Sequence, residues 1–144
     1  MIEFGGVNAH LVKVGAALDT LDVSEALEEC KPHVAMGIAE NFDTQSDPEG
    51  IPWPPRRDNK PHPLLQETGK MRAAATGGPG AIEEVAADSL TMGVSLQAVP
   101  YAGFQNDGTR NIPAREYMGV GEATEAECER IIGDYVQGII EGGR

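Results

Sequence analysis

Hydrophobic residues recur at helical spacing near the start of the chain. In residues 7–21 the apolar positions fall alternately four and three residues apart, which predicts one face of an amphipathic helix. A second helix is predicted from Ser24, as its N-cap, to near Phe42. Pro32 lies inside that second pattern and either kinks the helix or begins a new one, because proline lacks the backbone donor of a helix interior.

The C-terminal part of the chain carries the clearest helical pattern. Thr124 and Glu127 have the spacing of a capping box, which predicts that a helix begins there. Gly142 and Gly143 are typical of a helix end. The predicted apolar face consists of Cys128, Ile131, Ile132, Tyr135, Val136, Ile139 and Ile140.

Shorter elements are predicted between these helices. Residues 64–75 indicate a short helix, and residues 81–87 and 90–96 alternate in polarity around a polar turn, which predicts an antiparallel hairpin. Residues 101–108 favour a helical turn and a loop, and residues 111–118 are predicted to be extended. The sum is an α+β fold with a small antiparallel sheet packed against helices.

The length favours one domain. Two domains within 144 residues would each be too small to bury a comfortable core. We therefore predict a single domain, 1–144.

The segment 43–63 contains six of the ten prolines. Proline removes backbone donors, so no regular element is expected there, and a connection of this length is usually functional or orders on a partner. We predict an arm that is mobile in the free subunit and ordered after assembly. Trp53, the only tryptophan, lies within it and either fills the core edge of its own subunit or anchors an interface.

The chain is strongly acidic, with a formal charge of −12. Such a surface repels nucleic acid and anionic lipid, which argues against a DNA-binding or membrane protein. No apolar run is long enough to span a bilayer, and the N-terminus shows no basic region or apolar signal core. Neither membrane insertion nor export is expected.

Basic residues concentrate in residues 56–72. This strip has five cations and two acids, a local charge of +3 that leaves −15 for the remainder of the chain. Three interpretations stay open: an exposed loop kept soluble by charge, a contact strip for an acidic neighbour such as another copy of the chain, or a contact with DNA phosphate. The cations are Arg56, Arg57, Lys60, Lys70 and Arg72.

Patterns of known enzymes are missing from the sequence. No nucleophile elbow, phosphate-binding loop, zinc-protease motif or paired-cysteine motif occurs. Cys30 and His33 are three residues apart, but Pro32 disturbs their spacing and two further ligands are not evident. Cys30 and Cys128 are expected to be reduced and buried, although a disulfide is possible. We predict no catalytic residues, no metal and no cofactor.

A set of short motifs follows in a fixed order along the chain: Phe42; Asp47 to Gly50; Trp53 and Pro54; His62 to Leu65; Thr68 to Met71; Tyr101 and Ala102; Gly108; and Ile112 to Gly119. Their order is similar to that of the Mu-type phage virion morphogenesis family, which is related to phage tail-completion proteins. The resemblance covers roughly residues 25–140, and the family's histidine after Tyr-Ala is not matched here, where Phe104 and Gln105 follow the intervening glycine.

The resemblance implies a structural virion protein without catalytic activity. Such a protein completes or terminates the phage tail and joins it to the head or neck, commonly as a ring of six copies. Its partners would be other copies of itself, tail tube or sheath proteins and neck or connector proteins, while genomic DNA passes through without specific binding. The expected location is the virion, and the host cytoplasm during assembly.

Two alternatives remain. A head-side stopper or connector that gates DNA is the nearer one, and a small prophage-encoded enzyme is the more remote. For Arg115, an ion pair within the subunit competes with a contact between subunits. The candidate interface residues are Trp53, Arg56, Arg57, Lys60, Lys70, Arg72 and Arg115.

Overall fold

The computed structural model describes residues 2–3, 22–58 and 60–142. It has an α+β architecture with a small antiparallel sheet and helices, which confirms the predicted fold class. The helix predicted over residues 7–21 lies outside the described residues. The elements, in chain order, are β1 (Ile2–Glu3), α1 (Ser24–Thr44), α2 (Lys70–Ala75), β2 (Ala81–Val85), β3 (Leu90–Val94), α3 (Ala102–Asp107) and α4 (Glu122–Ile140).

Strand β3 is the centre of the sheet. It pairs antiparallel with β2, from Ala81 opposite Val94 to Val85 opposite Leu90, so the predicted hairpin is confirmed. On its other edge β3 pairs with the two-residue strand β1, which the sequence pattern did not indicate. All five residues of β3 are buried, whereas β2 is partly exposed.

Helices α1 and α4 pack against each other over the core. The contact is close at Gly37, where an added Cβ would lie 2.9 Å from the Thr124 Oγ1 atom and 2.9 Å from Val120 Cγ1. A side chain at that position would therefore push the helices apart. The buried face of α4 includes Ile131, Ile132 and Val136, whereas Ile140 is 61 % exposed and does not belong to it.

Helix α1 ends close to its predicted end, but it differs from the prediction at Pro32 and at its first turn. It runs without interruption through Pro32, so the alternative of a new helix at that residue is wrong. Buried Cys30 and Val34 flank Pro32, and their packing offsets the lost backbone donor. Asp22, rather than Ser24, supplies the side-chain acceptor at the start: its Oδ1 atom accepts the Ser24 N–H at 2.9 Å.

The capping box predicted at the start of α4 is wrong. The helix begins at Glu122, after Gly121, and no side chain caps it. Thr124 instead packs on Gly37, and the Glu127 carboxylate forms an ion pair with Arg130 at 2.6 Å. Contacts with α1 thus override the local capping signal.

The helix predicted over residues 64–75 is shorter than expected. Only Lys70–Ala75 is helical. Leu65 and Gly69 have φ angles of +63° and +75°, which a right-handed helix does not allow. Leu64 and Leu65 are instead partly buried against the core.

In the described part of the chain, no helix is long and apolar enough to cross a membrane.

Candidate functional site

Trp53 attaches the Pro-rich segment to the body of the protein. Its side chain is only 6 % exposed and meets the Phe42 ring edge-on, with centroids 5.8 Å apart. The indole Nε1–H donates to the Glu116 carbonyl oxygen at 2.9 Å. In this arrangement Trp53 belongs to the core of its own chain, which is the first of the two interpretations of that residue.

Arg115 makes a second attachment to the same segment. Its Nε and Nη2 groups donate to the carbonyl oxygens of Pro54 and Pro55, each at 3.0 Å. Within the described residues no carboxylate lies within 4.0 Å of this guanidinium, so the expected intrasubunit ion pair is not formed there. The residue is only 9 % exposed. Burial lowers the pKa of Arg115, and the positive charges of Arg56 and Arg57 lower it further.

Two side-chain amides position the backbone that follows Arg115. Asn41 Nδ2 donates to the carbonyl oxygens of Tyr117 and Gly119, each at 2.9 Å. Asn106 Oδ1 accepts the N–H groups of Tyr117 and Met118 at 3.1 and 2.9 Å. Sequence reasoning missed both residues. The sequence did contain an indication for Asn41: it is a polar residue next to Phe42, at the end of the apolar stripe of α1.

Arg115 also lines a cleft of about 370 Å³, called the basic cleft below. The Pro-rich segment forms one wall, and the start of α3 with residues 113–115 forms the other. The remainder is lined by Leu64, Leu65, Glu67, Thr68, Gly69 and Met71. The polar and aromatic side chains that line it include Arg56, Arg57, Asp58, Lys60, His62, Glu67, Thr68, Tyr101, Gln105 and Arg115.

The basic cleft holds more positive than negative charge. Asp58 lies 2.6 Å from the Arg56 guanidinium, and Glu67 lies 3.6 Å from the Lys60 amine. Arg57 and Arg115 have no carboxylate within ion-pair distance among the described residues. Four cations therefore face two acids, a surplus of two positive charges in a chain whose formal charge is −12.

The remaining candidate residues lie outside the basic cleft. Arg72 pairs with Asp43 at 2.7 Å, and its guanidinium lies 5.8 Å from the centroid of the Phe42 ring. Lys70 is exposed at the start of α2. The structure thus separates the predicted basic strip: Arg56, Arg57 and Lys60 join Arg115 in the cleft, whereas Lys70 and Arg72 do not line it.

His62 lines the basic cleft. Its Nδ1 atom lies 2.9 Å from the Pro63 carbonyl oxygen and 3.4 Å from the Arg56 Nη2 atom. The Nε2 atom is buried and has no hydrogen-bond partner in the described part of the chain.

The two cysteines, 98 positions apart, meet between α1 and α4. Both are free and buried, and the Cys30 thiol donates to the Cys128 carbonyl oxygen at 3.8 Å. The pKa of Cys30 is raised by its hydrogen bond with Cys128 and by burial. A buried thiol with a raised pKa, as at Cys30, serves packing rather than reaction.

Over the described residues, no group of three or more His, Cys, Asp and Glu side chains is arranged to hold a metal ion.

Acidic side chains crowd around Glu116, next to the Trp53 attachment. Burial raises the pKa of Glu116, and the charges of Asp47, Glu49 and Asp107 raise it further. A carboxyl group whose pKa is raised on folding costs stability when it is ionised, and this cost disappears below its unfolded pKa.

We therefore expect Glu116→Gln to raise the melting temperature at pH 7 and to have no such effect near pH 3. The effect is small, because Glu116 is largely exposed. Thermal melts of both proteins across pH test this expectation. Glu129→Gln, at an exposed position of α4, controls for the loss of one negative charge. An equal stabilisation by both variants would contradict the local origin of the effect.

Comparisons of the chain with protein-family models, with curated proteins and with solved structures found no match in any of the three. The role of the basic cleft therefore has to be inferred from its chemistry and from the resemblance described above.

Proposed function

We propose that this protein is a structural component of a tailed bacteriophage virion. It completes or terminates the tail and joins it to the head or neck, as a ring of identical subunits, and it catalyses no reaction. The best support is that the short motifs of the resemblance, which are scattered along the chain, meet in one packed framework.

That framework is built around three aromatic rings. The Phe42 centroid lies 5.8 Å from that of Trp53 and 5.3 Å from that of Tyr117. The Tyr117 hydroxyl donates to the Ala102 carbonyl oxygen at 2.8 Å, and Arg115 donates to the backbone after Trp53. Residues from several motifs of the resemblance thus contribute to one core.

The charge distribution is compatible with a ring around the genome. A closed assembly of chains that each carry −12 repels the phosphate backbone, so DNA can pass without binding. The positive surplus of the basic cleft is confined to one place on each subunit. It is therefore available for a protein neighbour.

Deletion of the gene from the phage that carries it tests the proposed function. We expect DNA-filled heads and separate tails by electron microscopy, with tails of irregular length, and we expect a plasmid copy to restore joined particles. Infectious, fully joined particles without the gene would contradict the proposal. Tails of normal length beside heads that have lost their DNA would instead favour the head-side stopper or connector.

A further inference from the structure

The basic cleft has an exposed aromatic rim. Tyr101 lines the cleft and is 43 % exposed. Phe104, one helical turn further along α3, is 58 % exposed. Arginine beside exposed aromatic side chains is the composition that protein interfaces favour at their centres. The cleft therefore fits a partner segment that carries carboxylates next to an apolar side chain.

The same chain presents a segment with that composition, the turn Asp47–Ile51, called the acidic turn below. Asp47 Oδ1 accepts the N–H groups of Glu49 and Ile51, each at 2.9 Å, and the Asp47 N–H donates to the Ile51 carbonyl oxygen at 2.9 Å. These bonds preform the turn. The Glu49 side chain is exposed, and Ile51 is 58 % exposed beside it.

The acidic turn has a negative surplus of its own. Among the described residues neither Asp47 nor Glu49 has a cation within ion-pair distance, and both add to the negative potential at Glu116. The isolated subunit thus carries an uncompensated positive site and an uncompensated negative site. A contact between them brings opposite charges together.

The two sites cannot satisfy each other within one subunit in this conformation. None of residues 47–51 lines the basic cleft. The chain between them is held at Trp53, and Pro48 packs against Gly119, where an added Cβ would lie 2.7 Å from Pro48 Cγ. The acidic turn therefore remains available to another molecule.

We infer that the basic cleft of one subunit receives the acidic turn of the next copy of the chain. Glu49 lies against Arg57 and Arg115, and Ile51 lies against Tyr101 and Phe104. Because the two surfaces differ, the contact is head-to-tail, which generates a ring if the rotation closes. This inference rests on the proposed function, because it assumes that the neighbouring molecule is another copy of the chain in the same ring.

Charge exchange on the full-length chain tests the contact. Arg57 and Glu49 are suitable because both are exposed and no described residue pairs with them, so Arg57→Glu and Glu49→Lys should fold normally. In sedimentation velocity at low salt we expect the unmodified protein to self-associate. Each single variant should lower the association constant by about tenfold or more, since like charges then face each other.

Restoration is the decisive part of the experiment. The double variant Arg57→Glu with Glu49→Lys should associate again, and so should an equimolar mixture of the two single variants, because opposite charges again meet. Lys70→Glu is the matched control: it reverses an exposed cation of the same strip outside the cleft and should leave association unchanged. Ile51→Ser should weaken association, whereas Met36→Ser, at a 70 % exposed position of α1, should not.

Three results would overturn the inference. The first is that the unmodified protein remains monomeric at low salt. The second is that the unmodified protein associates and that both single variants associate equally strongly. The third is salt-sensitive retention of duplex DNA that Arg57→Glu abolishes, which would assign the cleft to phosphate. None of these results depends on the gene-deletion phenotype, so the docking contact and the proposed function can fail separately.

Discussion

Replacing Ile132 with Asp is expected to unfold the protein. Ile132 is fully buried on the face of α4 that packs into the core. An unpaired carboxylate there costs several kcal/mol, about as much as the whole stability of a small domain, which is ~5–15 kcal/mol. Circular dichroism during thermal and denaturant unfolding measures the effect. The variant should show no cooperative unfolding transition in either experiment.

Ile140→Asp provides the matched control on the same helix. Ile140 is 61 % exposed, so the new carboxylate stays in water and the stability should change by no more than about 0.5 kcal/mol. The sequence pattern alone assigned both isoleucines to one apolar face. Unchanged melting of Ile132→Asp, or an equal loss from both variants, would show that α4 packs differently.

Replacing Trp53 with Ala is expected to cost about 3–5 kcal/mol and to detach the Pro-rich segment. The indole fills the core edge beside Phe42, and its removal leaves a cavity and an unbonded Glu116 carbonyl oxygen. Hydrogen exchange should become faster at the backbone amide of residue 53, which in the unmodified protein donates to the Gln45 carbonyl oxygen at 2.8 Å. If the rest of the domain remains folded, the amides of the β2–β3 hairpin should stay protected from exchange in the variant.

Trp53→Phe separates packing from hydrogen bonding. It retains an aromatic ring but loses the Nε1–H donor, so we expect a loss of about 1 kcal/mol and a segment that stays attached. This variant keeps the test informative if the alanine variant does not fold. Equal destabilisation by both would show that the indole hydrogen bond, rather than ring packing, holds the segment.

Hydrogen exchange on the unmodified protein measures the mobility of the arm predicted over residues 43–63. Residues 43–44 belong to α1, so the stretch without helix or strand begins at Gln45. Trp53 and Arg115 hold its first part against the body. We therefore expect slow exchange at the bonded amides of Asp47, Ile51 and Trp53, in contrast to the mobility that the sequence pattern predicted for the free subunit. Ordering of the segment on assembly stays a prediction, which exchange in the joined particle would test.

The sequence by itself determined the elements whose signals are local. The apolar stripes predicted α1 and α4, because a helix repeats its faces every 3.6 residues. Alternation around a polar turn predicted the hairpin of β2 and β3. The prolines of residues 43–63 excluded regular structure from Gln45 onward, since each removes a backbone donor. These features depend only on neighbours along the chain.

Only the tertiary structure decided the features that depend on residues far apart in sequence. Thr124 meets Gly37 instead of capping α4, and Arg115 binds the carbonyl oxygens of Pro54 and Pro55 instead of a carboxylate. The basic cleft likewise forms because Arg115 comes to lie beside Arg56 and Arg57, almost sixty positions earlier. No local pattern encodes such pairs, because packing of the whole core selects which backbone carbonyls and which side chains meet.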